Sequence, residues 1–287
     1  MEPIIKLTEC PRDAMQGLPN FVPTDVKAAY INLLLQVGFD TIDFGSFVSP
    51  KAIPQMVDTA EVLSKLDLSN TKSKLLAIIA NYRGAEEAVK HEEITYLGYP
   101  FSISETFQLR NTNSTISDAF DTVKKIKHLC GSNNKELLVY LSMGFGNPYG
   151  DEWNTDIIQQ WTEKLVNEGI NIIALSDTIG VATPEQIKTI YPRLCADFPK
   201  TEFGVHLHST PDTWHEKVEA AYQSGCKRFD SALKGYGGCP MAKDDLTGNI
   251  ATENLIAYLQ SQNALSELNL DKLQEALDYS VRVFSPF

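Results

Sequence analysis

NIIALSDTIGVATPEQIKTIYPRLCADFPKTEFGVHLH, residues 171–208, contains a complete strand–helix–strand unit. An apolar run at 171–176 predicts a buried strand, and EFGVHLH at 202–208 predicts a second. Between them Thr183, followed by Pro184, supplies a helix start, and 184–197 has the helical period. The same alternation runs outward in both directions. Strands are expected at 4–9, 41–45, 74–80, 93–99, 136–142 and 227–233. Helices are expected at 24–37, 59–66, 84–91, 117–130, 154–168, 212–224 and 252–260, with start signals at Thr24 and Thr252. Strands alternating with helices in this way predict an α/β fold, a single (β/α)8 TIM barrel over residues 1–260. Residues 261–287 are expected to form a short C-terminal helical extension packed on the barrel, with its helix at 271–283. The competing architecture, an open doubly wound sheet, lacks its usual support: PRDAMQG, not a GxGxxG loop, follows the first strand.

The unit ends in VHLH. Side chains two apart on a strand share a face, so His206 and His208 project side by side. With a carboxylate from Asp13 and an amide oxygen from Asn249 they make a mixed nitrogen and oxygen donor set for a divalent cation. Taken alone, an HxH at a strand end is more simply read as two unrelated polar residues. The pattern gains weight from its surroundings. Arg12, Asp13, Asp43, Ser46, Phe47, Asn81, Ser104, Glu105, Asp177, Cys239 and Asn249 all follow or close predicted strands. That is the carboxyl-terminal face, where barrel enzymes build their sites.

Composition narrows the partners. The 287 residues carry 25 Lys and Arg against 37 Asp and Glu, a net charge of −12, which disfavours nucleic acid. The first ten residues, MEPIIKLTEC, show no charged segment leading into a long apolar run, so no signal peptide is expected. The most apolar window, LLAIIA at 75–80, is too short to cross a bilayer, so no membrane partner is expected. Five cysteines without CxxC spacing suit a reducing compartment, and a cytoplasmic location is expected.

Several segments, in order, resemble the hydroxymethylglutaryl-CoA lyases within the DRE-type TIM-barrel metallolyases. PRDAMQ (11–16), GSFVSPKAIPQMVD (45–58), ANYRGAEEA (80–88), SISETFQLRN (102–111), LSDTIGVATPEQ (175–186), VHLH and GGCPMA through GNIATE carry the similarity, which spans Ile4 to about Leu259. The resemblance implies that Asp13, His206, His208 and Asn249 hold a divalent metal, Mg²⁺ or Mn²⁺, and that a CoA thioester is the substrate. It implies that Arg12 neutralises oxyanion charge and that Cys239 lies on a glycine-rich loop over the substrate. Asp43, Asp177 and Glu253 match acidic positions near the family's active site, and Gln16, Ser46, Asn81, Ser104 and Asn111 match substrate-binding ones. Family members are commonly homodimers.

These residues suit retro-Claisen cleavage of a tertiary 3-hydroxyacyl thioester. A metal on the hydroxyl and acyl oxygens lowers the alcohol's pKa, and an always-charged guanidinium holds an oxyanion. His206 or a neighbouring carboxylate is the expected acceptor of the hydroxyl proton, and the Cys239 thiol the expected donor to the enolate carbon. Plainer roles exist for each. Arg12 and Asp13 can be a surface ion pair, Cys239 a packed small residue, and Asn249 a helix cap. Glu9, Asp43 and Asp177 can satisfy backbone groups, and for Asp43, Asp177 and Glu253 support is as good a reading as proton transfer. The aromatic residues around 96–107 suit a core better than a CoA platform, and Lys51, Arg83 and Arg110 qualify for CoA by charge only.

The chain also departs from the lyase pattern. Ser209-Thr210-Pro211-Asp212 follows HLH, the stretch from Cys239 to Asn249 is one residue longer, and Asn147 stands where the lyases tend to have cysteine. Thr8 occupies a usually acidic place, with Glu9 one step later, turned to the other face unless the strand bulges. A related metalloenzyme acting on another 3-hydroxyacyl-CoA or a branched 2-hydroxy acid, such as an isopropylmalate or homocitrate synthase or an aldolase, is the alternative. A non-catalytic binding or assembly protein is the third reading. Only 27 residues follow Gln260, whereas the condensing enzymes usually carry a long C-terminal extension.

Overall fold

The computed structural model describes residues 5–238, 247–265 and 268–285. Alternating strands and helices close a barrel of eight parallel strands. In chain order the strands are β1 (Lys6–Glu9), β2 (Thr41–Ser46), β3 (Lys74–Ile78), β4 (Ile94–Ser102), β5 (Glu136–Ser142), β6 (Ile172–Ser176) and β7 (Glu202–His206). A two-residue β8 (His208–Ser209) follows, then β9 (Arg228–Ser231), which pairs with both β7 and β1 and closes the ring. Outside the barrel β10 (Gly248–Asn249) pairs antiparallel with β8. The strand expected over 202–208 is therefore broken at Leu207. His206 belongs to the barrel, and His208 to a small ribbon above it.

The helices are α1 (Pro11–Gln16), α2 (Thr24–Leu35), α3 (Thr59–Ser64), α4 (Tyr82–Ala88), α5 (Glu105–Thr112), α6 (Ile116–Ser132) and α7 (Thr155–Asn167). They continue with α8 (Pro184–Asp197), α9 (Trp214–Gln223), α10 (Thr252–Ser261) and α11 (Leu270–Phe284). The start signal of α8 works as expected: Thr183 accepts from the Gln186 amide, Gln186 accepts from that of Thr183, and Pro184 takes the first turn. Two expected start signals act otherwise. Pro23 and Ala251 stand at the cap positions of α2 and α10. The hydroxyls of Thr24 and Thr252 instead donate to Asp58 and Glu9. Two short helices, α1 and α5, fall in stretches with too few turns to show a helical period.

Alternation along the strands sorts side chains into two layers. Leu76, Ile78, Tyr96, Leu138, Tyr140, Ile172 and Ala174 form a small cluster inside the barrel. A larger shell, including Ile42, Phe44, Leu75, Leu97, Val139 and Ile173, packs between strands and helices. At the floor, Arg228 is 1% exposed and donates to Glu202 at 3.1 Å, with its guanidinium 5.3 Å over the Tyr96 ring. Gly204 faces it, and a Cβ there would lie 3.1 Å from the Arg228 side chain. Barrel floor and core are thus sealed, and what remains open is the carboxyl-terminal end.

The last helix, α11, lies against α2. Tyr279 stacks on Tyr30 at 6.5 Å, Phe284 meets the same ring edge-on at 6.0 Å, and the Asn269 amide donates to the Val37 carbonyl at 2.9 Å. Among the described residues no helix is long and apolar enough to cross a membrane.

Candidate active site

Pro11 starts α1 immediately after β1, so Arg12 and Asp13 sit directly above the strand ends, each 7% exposed. One ligand atom each from Asp13, His206 and His208 lies within 4.8 Å of the others. The two imidazole centroids are 5.2 Å apart at 66°. Nδ1 of His208 lies 3.1 Å from the Thr178 carbonyl. A carbonyl only accepts, so Nδ1 carries the proton and Nε2 keeps a lone pair. That Nε2 is buried and has no partner among the described residues. Burial, with His206 adjacent, pushes His208 down to about 4, so the ring is neutral near pH 7 and that lone pair is free.

Asn249 arrives from β10, where the antiparallel register sets it opposite His208. Its amide nitrogen donates to Asp13 Oδ2 at 2.7 Å and to the Tyr236 carbonyl at 2.9 Å, which uses both amide hydrogens and leaves the carbonyl oxygen. Burial alone would raise Asp13, but Arg12, His206 and His208 prevail and hold its carboxyl below the ordinary range. The cluster thus offers a carboxylate, two imidazole nitrogens and an amide oxygen around an orphaned buried acceptor. That donor set fits a hard or borderline divalent cation, and a cation would satisfy the His208 lone pair that no described residue satisfies.

Arg12 is held from two sides. Its Nε donates to both oxygens of Asp43 at 3.1 Å, its Nη2 donates to Asp43 Oδ2, and its Nη1 donates to Asp13 at 3.0 Å. A guanidinium has five N–H donors, so two stay available to the cavity that Arg12 lines. Burial pushes Asp43 up to about 6 against the pull of Arg12, which leaves it ionised at neutral pH.

Of the two roles open to the acidic residues, support and proton transfer, the contacts of Asp177 and Glu253 are those of support. Asp177 accepts from the Ala182 amide at 3.0 Å and from Lys217 at 2.8 Å. Glu253 accepts from the Lys234 amide at 3.0 Å and does not line the cavity. Glu9 points outward from β1, which pairs without a bulge, and accepts from the Leu233 amide and the Thr252 hydroxyl. Thr8 points inward, its hydroxyl buried and without a partner among the described residues.

Above these groups opens a cavity of about 400 Å³. Of the residues expected to contact substrate, Gln16, Ser46, Asn81 and Asn111 line it. Ser104 does not: its hydroxyl accepts from the Phe107 amide at the start of α5 and donates to Asp151. Of the three cations considered for CoA only Arg110 lines the cavity, its guanidinium 4.6 Å over Tyr149. Tyr96, Tyr99 and Phe101 are core, whereas Phe107 is buried and also contributes to the wall. Cys239 lies outside the described residues. Residues not foreseen include Tyr140 and Thr178 in the lining, Asp230 beside His206, and Lys217 beneath His208. An acidic residue inside the apolar run KRFDSAL was a usable signal for Asp230; Lys217, on a helix, gave none.

The chain is 32% identical over 269 residues to the hydroxymethylglutaryl-CoA lyase YngG of Bacillus subtilis, covering 93% of this chain and 88% of that protein. It is 33% identical over 278 residues to the mitochondrial hydroxymethylglutaryl-CoA lyase of Mus musculus, covering 96% and 84%. The structure matches that of an HMG-CoA lyase from Acinetobacter baumannii, solved with coenzyme A and 3-methylmalate, with a TM-score of 0.90 at 31% identity over 98% of this chain and 91% of that one. A family model described as HMGL-like matches residues 5–279. With nearly the whole chain matched in sequence and in structure, the protein belongs to the HMGL-like family.

Proposed function

We propose that the protein is a divalent-metal-dependent carbon–carbon lyase that cleaves 3-hydroxy-3-methylglutaryl-CoA to acetyl-CoA and acetoacetate. One observation carries the proposal: the Nε2 of His208, without a partner among the described residues, converges with His206 and Asp13 beside the only partly engaged guanidinium of Arg12, under a cavity. The lyase relatives supply the substrate.

Asp13, His206, His208 and Asn249 would hold Mg²⁺ or Mn²⁺, which when bound supplies Lewis-acid polarisation of the substrate oxygens. The C2–C3 bond breaks once the C3 hydroxyl passes its proton to a neighbouring carboxylate. Its electron pair passes to C2 as the acetyl thioester enolate, and C3–O becomes the ketone of acetoacetate. The two free N–H groups of Arg12 hold the oxyanion, and Asp43 keeps the guanidinium oriented. His206 does not serve as the base in this scheme, because Nδ1 faces Asp230 and Nε2 is the ligand. Proton return to C2 is assigned to Cys239 by resemblance. Asp177 and Lys217 hold the strand end that bears His208. Gln16, Ser46, Asn81 and Asn111 contact the acyl group, and Arg110 suits an anionic part of CoA at the mouth.

The unpaired thiols of Cys10, Cys130, Cys195 and Cys226 support a reducing location, the cytoplasm. Homodimer formation is carried by the family resemblance and is tested by sedimentation. The activity is tested by steady-state cleavage of 3-hydroxy-3-methylglutaryl-CoA with Mg²⁺ or Mn²⁺ and then excess chelator. Turnover abolished by chelator, and crippled in Cys239→Ala at unchanged metal content, is expected. Folded, metal-loaded protein without turnover overturns the substrate assignment, and near-normal turnover of Cys239→Ala overturns that residue's role.

A further inference from the structure

We infer that Asp230 is a positioning residue for the cation site, fixing His206 in the Nδ1-protonated tautomer so that Nε2 is presented as a ligand. This rests on the metal-dependent function proposed above. Asp230 and His206 are paired residues in the parallel register of β9 and β7, so both side chains enter the barrel side by side. Asp230 is 5% exposed, and its Oδ2 lies 3.1 Å from Nδ1 of His206. Among the described residues this is the one side-chain hydrogen bond of Asp230. Neither neighbour competes for it. Cys10, whose thiol belongs to the same cluster, faces the Thr8 carbonyl at 3.7 Å, and Arg228 reaches down to Glu202.

A carboxylate buried in an apolar barrel is costly without a donor. Nδ1–H of His206 is that donor, and the bond in turn leaves the ring's lone pair on Nε2. The ring is also confined sideways, with Tyr140 edge-on at 5.6 Å and His208 at 5.2 Å. His208 provides an internal contrast, since its Nδ1 faces a neutral carbonyl. The two imidazoles of HLH are thus unequal: the one backed by a carboxylate is the more basic ligand, and it is the one whose ring hydrogen bond goes to a side chain and can be removed by a single substitution.

The test compares wild type, Asp230→Asn and Asp230→Ala by Mn²⁺ titration, followed by electron paramagnetic resonance, and by ¹⁵N spectra of the metal-free, histidine-labelled protein. With 5 histidines in the chain, the His206 signals are separable. Asp230→Ala is expected to weaken Mn²⁺ binding by about 10–100-fold and to mix the His206 tautomers. Asp230→Asn, which keeps shape and one acceptor oxygen, is expected to lie between and covers the case in which the alanine variant does not fold. Wild-type Mn²⁺ affinity and an unchanged His206 tautomer in Asp230→Asn and in any folded Asp230→Ala overturn the inference and leave the proposed function standing. Absence of Mn²⁺ binding by the wild type overturns both.

Discussion

Lys217 Nζ lies 2.8 Å from a carboxylate oxygen of Asp177, with the two side chains 3% and 0% exposed. The same ammonium donates to the backbone carbonyls of His208 at 2.8 Å and Gly180 at 2.9 Å. One buried cation on α9 therefore ties the loop after β6 to the strand that carries a candidate metal ligand.

Breaking that pair strands a buried charge. Lys217→Met is expected to destabilise the fold by about 3–5 kcal/mol, measured by urea unfolding, and to weaken Mn²⁺ binding through displacement of His208. Adding Asp177→Leu should recover much of the stability but not the binding. A loss within experimental error for Lys217→Met would show that the pair is not what holds the loop.

The orphaned Nε2 of His208 makes ligand addition a stability experiment. Mn²⁺ at 100 times its dissociation constant is expected to stabilise the wild type by about 2.7 kcal/mol, seen as a rise in Tm that excess chelator reverses. His208→Ala should lose that rise. An equal Mn²⁺ response in the variant would remove His208 from the ligand set.

Arg12 both satisfies Asp43 and faces the cavity, and a lysine has no planar fork to do both. Arg12→Lys is expected to lower kcat by about 10²–10³ while the circular dichroism spectrum is unchanged. A rise in KM with kcat unchanged would mean that Arg12 binds ground state and transition state alike.

Glu9 is buried between β1 and α10, and burial, resisted by hydrogen bonds from Thr252 and Leu233, pushes its carboxyl from 4.5 up to about 8. The folded protein thus holds a proton that the unfolded chain releases above about 4.5. This group's stabilisation is complete below that pH and is lost as the pH rises to about 8, beyond which both states are ionised. Glu9→Gln cannot titrate, so its Tm should fall less than that of wild type across this window. Parallel Tm curves for the two proteins would show that folded Glu9 holds no extra proton.

Much of this protein follows from interactions between residues a few positions apart, and those are written in the chain. An apolar run and a 3.6-residue period mark β5 and α8 with the bounds they have in the fold, and Thr183 and Gln186 cap α8 three residues apart. The alternation of strands and helices sets the barrel, and parallel strands with helical returns put every strand's carboxyl end on one face. His206 and His208, Arg12 and Asp13 could therefore be assigned to that face. Their partners could not, because partner choice depends on how the ring closes. Arg12 meets Asp43 from 31 residues away, Asp177 meets Lys217 from 40, and Asn249 meets Asp13 from 236. Those encounters turn Asp43 and Asp177 from free acids into anchors, take Thr252 from a cap to Glu9, and set Asp230 behind His206. Local chemistry determined the fold and the face of the site. Tertiary closure, by bringing charges together out of water, decided what each acidic side chain on that face is free to do.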